Sequence, residues 1–202
     1  MKLTLIGMSN IGKTYWSKKL ENAGFLRFGC DDLIEKKLGT ADLSNWLGQP
    51  FDKRYKKNSS VYLHYEKEVV EEIISSMEKL DGSIKIVVDT TGSLIYLNES
   101  LISKLKKYTK FVYLDLPEDI KEIMCRNYFK TPKPVIWGES YKITNGFSQK
   151  ESLFQCYPKL LNFRLKKYKS LSDITLDYYL LRNKKISAGD FINSIKYKND
   201  PL

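Results

Sequence analysis

The segment Gly7-Met8-Ser9-Asn10-Ile11-Gly12-Lys13-Thr14 constrains this chain more than any other. It fits G-x-x-x-x-G-K-[ST] at every fixed position. It also stands between a short apolar run, Leu3–Ile6, which reads as a buried strand, and a helical stretch from Lys13 to about Ala23. A strand feeding such a turn into a helix leaves the glycine-rich backbone free to wrap an anion. The N–H groups of the turn and of the helix start then face phosphate oxygens. The pattern predicts that Gly7, Ser9, Asn10, Ile11, Gly12, Lys13 and Thr14 hold ATP. Lys13 would reach the β- and γ-phosphates, and the Thr14 hydroxyl would ligate Mg2+.

Beyond this turn, short apolar runs alternate with helical periodicity. Strands are expected at Phe25–Phe28, Lys85–Val88, Phe111–Leu116 and Ile174–Leu176. Helices are expected from Asp31/Asp32 to Leu38, over Val61–Leu80, Leu97–Tyr108, Asp119–Asn127 and Ser152–Lys167, and at Ile192–Tyr197. Gln49–Ser60 is polar and basic and reads as a loop, and Lys198–Leu202 reads as a fraying end. Such alternation predicts an α/β protein, three layers α/β/α around a central parallel sheet. With 202 residues, one domain over 1–202 is expected. Residues 128–150 lose periodicity and carry Pro132, Pro134, Gly138 and Gly146; a loop that long in a compact domain is expected to be functional or disordered.

Four further segments follow in order: Phe28-Gly29-Cys30-Asp31-Asp32-Leu33-Ile34-Glu35-Lys36-Lys37-Leu38-Gly39; Val87-Val88-Asp89-Thr90-Thr91-Gly92-Ser93; Val112-Tyr113-Leu114-Asp115 with Arg126; and Asn162-Phe163-Arg164-Leu165-Lys166-Lys167-Tyr168 with Ser172-Asp173. Together with the phosphate loop they resemble shikimate kinase, within the nucleoside-monophosphate-kinase-like P-loop proteins. The resemblance implies a P-loop kinase architecture with a lid insertion at about 128–150. It implies transfer of the γ-phosphate of MgATP to a hydroxyl of a small, anionic acceptor. Carried over by position, Asp31 contacts the acceptor hydroxyl, Gly92 lines the acceptor loop and Arg164 grips an acceptor carboxylate. Arg126 flanks the adenine, and Lys133 stands where the lid arginine would be. Lys13, Asp31 and Lys133 are then the catalytic candidates.

The chain also departs from that pattern. Gly29 stands where the family has an acidic residue, Leu63 after Tyr62 where it has a second substrate arginine, and Thr91-Gly92-Ser93 in place of three glycines. These changes fall in the acceptor pocket, so the acceptor is expected to differ from shikimate. Asp89, ending an apolar strand, is a second candidate for the Mg2+ site and could compensate for Gly29.

Local chemistry supplies other readings. Asp31 or Asp32 could cap a helix, Asp89 could open a turn, and Arg164 could be a surface arginine paired with an acid. Trp137 could cover a ligand or serve the lid structurally. A nucleoside or nucleotide kinase, a non-catalytic nucleotide-binding regulator and a polynucleotide-type enzyme are the competing functions. The net charge of +10 suits anionic ligands. Its lysines are scattered, with only Arg27, Arg54, Arg126, Arg164 and Arg182 as arginines, so a nucleic-acid groove is not expected. Cys30, Cys125 and Cys156 lack metal-ligand spacing and read as reduced thiols. No long uncharged stretch suggests a membrane segment. A cytoplasmic monomer is the expectation.

Overall fold

The protein is described from a computed structural model that covers residues 1–40, 42–132 and 134–197. The chain runs β1 (Lys2–Ile6), α1 (Lys13–Glu21), β2 (Leu26–Gly29), α2 (Cys30–Leu38), α3 (Leu43–Leu47), α4 (Tyr55–Lys79), β3 (Ile86–Asp89), α5 (Glu99–Tyr108), β4 (Lys110–Leu114), α6 (Glu118–Lys130), α7 (Gln149–Leu171), β5 (Ile174–Leu176), α8 (Tyr178–Arg182) and α9 (Ala188–Tyr197), with a 3-10 turn at Leu94–Tyr96.

The strands form one parallel sheet in the order β2-β3-β1-β4-β5. Leu3, Leu5, Ile6, Val87, Val88, Phe111 and Val112 are fully buried, as a parallel sheet covered by helices requires. The chain leaves β1 toward β2 through α1, then moves the other way for every later crossover. Right-handed crossovers therefore put α1 on one face and α4, α5 and α7 on the other. On the α1 face, Trp16 stacks on Phe191 of α9 at 4.7 Å between ring centres. The reversal of direction at β1 opens a crevice at the carboxyl ends of the strands, where ligands of such sheets bind.

Several sequence expectations change in the folded chain. Residues 55–60, expected as loop, are the first turns of α4. Tyr55 is buried and shares a face with Tyr62, Glu66, Val69, Ile73 and Met77, while the polar run Lys56-Lys57-Asn58-Ser59-Ser60 that follows it, exposed at Lys56, Lys57 and Ser60, masks the helix. Neither Asp31 nor Asp32 is a cap: α2 begins at Cys30 behind Gly29, with no side-chain cap bond. The last long helix starts at Gln149 and runs to Leu171. Its start is a capping box, with Ser148 Oγ accepting the Glu151 N–H and the Glu151 carboxylate accepting the Ser148 N–H. The expected fraying end at Lys198–Leu202 lies outside the described residues. No helix among those residues is long and apolar enough to cross a membrane.

Candidate functional site

The loop after β1 has the backbone that its glycines permit. Gly7 and Gly12 hold φ of 144° and 113°, and Asn10 is the one non-glycine residue with positive φ among the described residues, at 63°. A side chain on Gly7 would meet the Leu114 carbonyl at 3.0 Å. Gly12 ends the loop as the N-cap of α1, and no side chain caps that helix. The first N–H groups of α1 thus face the crevice without an intrahelical partner.

Lys13 opens the helix and is buried. Its ammonium donates to the Gly7 and Met8 carbonyls at 2.9 and 3.0 Å, so it lies folded along the loop. Burial pushes its pKa down, while Asp31 and Asp89 oppose that shift. An incoming phosphate would oppose that shift as well. Thr14 is exposed beside it.

Two hollows meet at this loop. The larger, about 730 Å³, runs between the loop, α6 and α8, with Asn10, Ile120, Met124, Tyr178 and Arg182 among its walls. The smaller, about 180 Å³, is walled by Asp31, Tyr62, Gly92, Ser93 and the leucines 43 and 47 of α3. Ser9, Pro134, Val135 and Arg164 belong to both.

Arg164 is 2% exposed and has no ion-pair partner among the described residues. Its guanidinium donates to the Ile136 carbonyl and lies over the Tyr96 ring, 5.5 Å from the ring centre. Its Nε is buried without a partner. The surface-arginine reading therefore fails, and a buried, unpaired cation faces both hollows. Gly92 makes room for it: a Cβ there would stand 3.1 Å from Arg164 Nη1 and 3.0 Å from Ser9 Oγ.

Asp31 points into the smaller hollow and accepts the Tyr62 hydroxyl at 3.2 Å. Its surface is open to the hollow, yet enough protein surrounds the carboxyl that burial raises its pKa, with Lys13 pulling it down. Asp89 ends β3 as expected, but its Oδ2 is already engaged. It accepts from Ser17 Oγ at 3.0 Å and from Arg27 Nη2 at 3.1 Å.

Arg126 is exposed on α6 and is absent from the walls of the larger hollow. Arg182 stands there instead. It donates to the Asn10 carbonyl at 3.0 Å and lies 5.1 Å from the Tyr178 ring centre. Lys133 lies outside the described residues. Its neighbours on the C-terminal side form a strap pinned to the body. Tyr55 donates its hydroxyl to the Val135 carbonyl at 3.0 Å and accepts the Trp137 N–H at 2.8 Å. Trp137 is fully buried against Tyr128, Tyr141 and Tyr157, which answers its open reading in favour of structure.

Sequence reasoning missed Glu66. It is 1% exposed on α4 and accepts the Thr91 and Ser93 hydroxyls, the latter at 2.7 Å. A glutamate among the apolar positions of a helix face was the available signal. The hydroxyls that replace the family's glycines thus turn toward Glu66.

No family model matches the chain, and no curated protein does. Solved structures do. A shikimate kinase from Acinetobacter baumannii, in complex with shikimate, matches 100% of this chain and 95% of its own, at 20% identity and TM-score 0.61. A shikimate kinase from Aquifex aeolicus matches 98% of each chain at 16% identity and TM-score 0.57. A dephospho-CoA kinase from Campylobacter jejuni matches 99% of this chain and 100% of its own, at 13% identity and TM-score 0.56. The five-stranded parallel sheet with its flanking helices is thus the fold of the P-loop kinases, the shikimate kinases among them.

Proposed function

We propose that this chain is an ATP-dependent small-molecule kinase, one domain that transfers the γ-phosphoryl group to a hydroxyl of a small anionic acceptor. One observation carries this reading: the phosphate loop opens on two separate hollows that meet at Ser9 and Arg164. A nucleotide laid in the larger one ends its phosphates at the mouth of the smaller. Transfer between two bound molecules needs that adjacency.

The residues divide the work. The loop N–H groups and Lys13 hold the phosphates, and Arg182 and Tyr178 flank the base. Asp31 orients the acceptor hydroxyl and takes its proton; its raised pKa brings it nearer to the range of a useful base. Arg164 anchors an anionic group of the acceptor, where its planar fork suits a carboxylate. The strap at Pro134–Val135 keeps water from the junction, since water is a competing phosphoryl acceptor.

The residues fit the triphosphate better than they fit a resident Mg2+. Thr14 suits such an ion, but the Asp89 carboxylate is paired with Arg27. The expected Thr14–Asp89 pair does not make a cation site as it stands, and no step is assigned to one. That pairing favours a second reading, a nucleotide-binding regulator without turnover. The smaller hollow, about 180 Å³, favours a compact hydroxy acid over a nucleoside.

A coupled ADP-release assay across shikimate, other hydroxy acids, nucleosides and 5′-hydroxyl oligonucleotides tests the proposal. Turnover on a small hydroxy acid supports it. ATP binding with no acceptor used would favour the regulator, and turnover on oligonucleotides alone would overturn the small-molecule reading.

A further inference from the structure

β2 and β3 pair in parallel with Arg27 opposite Val87 and Gly29 opposite Asp89. The period of two along each strand puts Arg27, Gly29 and Asp89 on one face of the sheet. Gly29 has no side chain to fill the end of that face, and Arg27 extends along the strand into the space. A Cβ on Gly29 would lie 2.6 Å from Arg27 Nη2 and 2.4 Å from Asp32 Oδ2.

The guanidinium that arrives there is held on three sides. Nη2 donates to Asp89 Oδ2 at 3.1 Å, Nη1 to Asp32 Oδ2 at 3.0 Å and Nε to Ser17 Oγ at 2.9 Å. Ser17 lies one turn beyond Lys13 and is fully buried. Its hydroxyl also reaches Asp89 at 3.0 Å and lies 3.1 Å from the Thr14 carbonyl. Arg27 is thus tied to the first turns of the helix whose N–H groups face the phosphates. Its side chain is 11% exposed and that of Asp89 is 6% exposed, so solvent screens their pairing little.

The charges explain why a cation is needed at this place. Asp31 and Asp89 both act on Lys13 at the end of the loop that must receive a polyanion, and Asp32 stands beside Asp31. Without a counter-charge they would repel the phosphates, and Asp89 would be a buried anion with only the Ser17 hydroxyl to hold it. A divalent ion could balance them, but Arg27 already occupies the Asp89 oxygen that such an ion would use.

We propose that Arg27 is the resident cation of the phosphate site, balancing Asp89 and Asp32 in place of a divalent ion. The nucleotide then binds with little dependence on divalent cations. This rests on the proposed binding of ATP at the loop.

Calorimetric titration of ATP into the full chain, with excess Mg2+ and then with EDTA, reads the effect directly. The wild-type Kd should change by less than about threefold between the two conditions. Arg27→Met should bind at least about tenfold more weakly in EDTA than in Mg2+, because the ion must then do what the guanidinium did. Arg27→Lys, which keeps the charge, should behave more like wild type. The Arg27→Met/Asp89→Asn pair removes both charges of this buried ion pair together. Should Arg27→Met fail to fold, this pair reports in its place, with a Mg2+ dependence near that of wild type. A wild-type protein that loses ATP tenfold or more in EDTA overturns the inference, as does an Arg27→Met protein with the wild-type ratio. A wild type that binds ATP in neither condition overturns both this inference and the kinase reading.

Discussion

Glu66 should make this fold less stable as the pH rises through neutrality. The carboxyl is buried on α4, has no ion-pair partner among the described residues and is held by two hydroxyls. Burial raises its pKa from 4.5 to about 7, against the opposing pull of the Thr91 and Ser93 hydroxyls. The folded state therefore binds this proton more tightly than the unfolded chain does. Its contribution is fully present below the unfolded pKa of 4.5 and is lost as the pH rises through about 7. Between about pH 5 and about pH 8 the loss amounts to about 2–3 kcal/mol. Glu66→Gln keeps the shape and an oxygen that can accept a hydroxyl, but it does not titrate. Urea unfolding of both proteins at those two pH values isolates the effect. Near pH 5 the stabilities should lie within about 1 kcal/mol of each other; near pH 8 the glutamine protein should gain about 2–3 kcal/mol on wild type. A stability difference that stays constant across that range would refute the reasoning, because it would mean that Glu66 ionises alike in both states.

Lys13→Ala removes a charge-assisted phosphate contact and should weaken ATP binding about tenfold or more, read by calorimetry; unchanged affinity would remove Lys13 from the site. Arg164→Lys keeps a charge but loses the fork, so KM for an anionic acceptor should rise about tenfold and KM for ATP much less, measured by steady-state kinetics once an acceptor is found. Tyr55→Phe strands the buried Trp137 N–H, which should cost about 1–3 kcal/mol in urea unfolding and speed hydrogen exchange at that amide. In wild type that amide should be protected before any ligand is added, while the exposed amides at 142–143 and 145–146 exchange fast. Equal exchange in the two would show that the strap is not pinned.

The phosphate loop was legible because its chemistry is local. Eight consecutive residues carry the turn, the approach of the backbone and the buried lysine, and the strand and helix beside them are short-range patterns. The sheet was legible for a similar reason, since buried parallel strands such as Ile86–Asp89 are apolar up to their last residue. What escaped depends on register and on contacts far apart in sequence. Arg27 reads as an ordinary basic residue until β2 is paired with β3 and Gly29 is seen to leave its place open. Arg126 and Arg182 are separated by the whole of α7, and only the fold shows which one reaches the loop. The first turns of α4 were hidden because Tyr55 is an isolated aromatic in a basic run. It is fixed in a helix by the strap 80 residues later, to which its hydroxyl is bonded.

On the proposed kinase reading, these long-range contacts also narrow the acceptor. The position that resembles a substrate arginine is Leu63, partly buried against the core. The two side chains that replace glycines, Thr91 and Ser93, spend their hydroxyls on Glu66 and offer the hollow little donor capacity. Arg164 is therefore the cation of the smaller hollow among the described residues, and it stands on the side of α7. Opposite it, Leu43 and Leu47 of α3 supply an apolar wall, and Asp31 with Tyr62 supplies the polar corner. A ligand that satisfies these walls carries one anionic group for Arg164, one hydroxyl for Asp31 and an apolar edge against α3. A molecule with several hydroxyls directed at α3 would leave them without partners, at about 1–3 kcal/mol each. The altered residues thus argue for a less hydroxylated acceptor than shikimate, with its charge at one end.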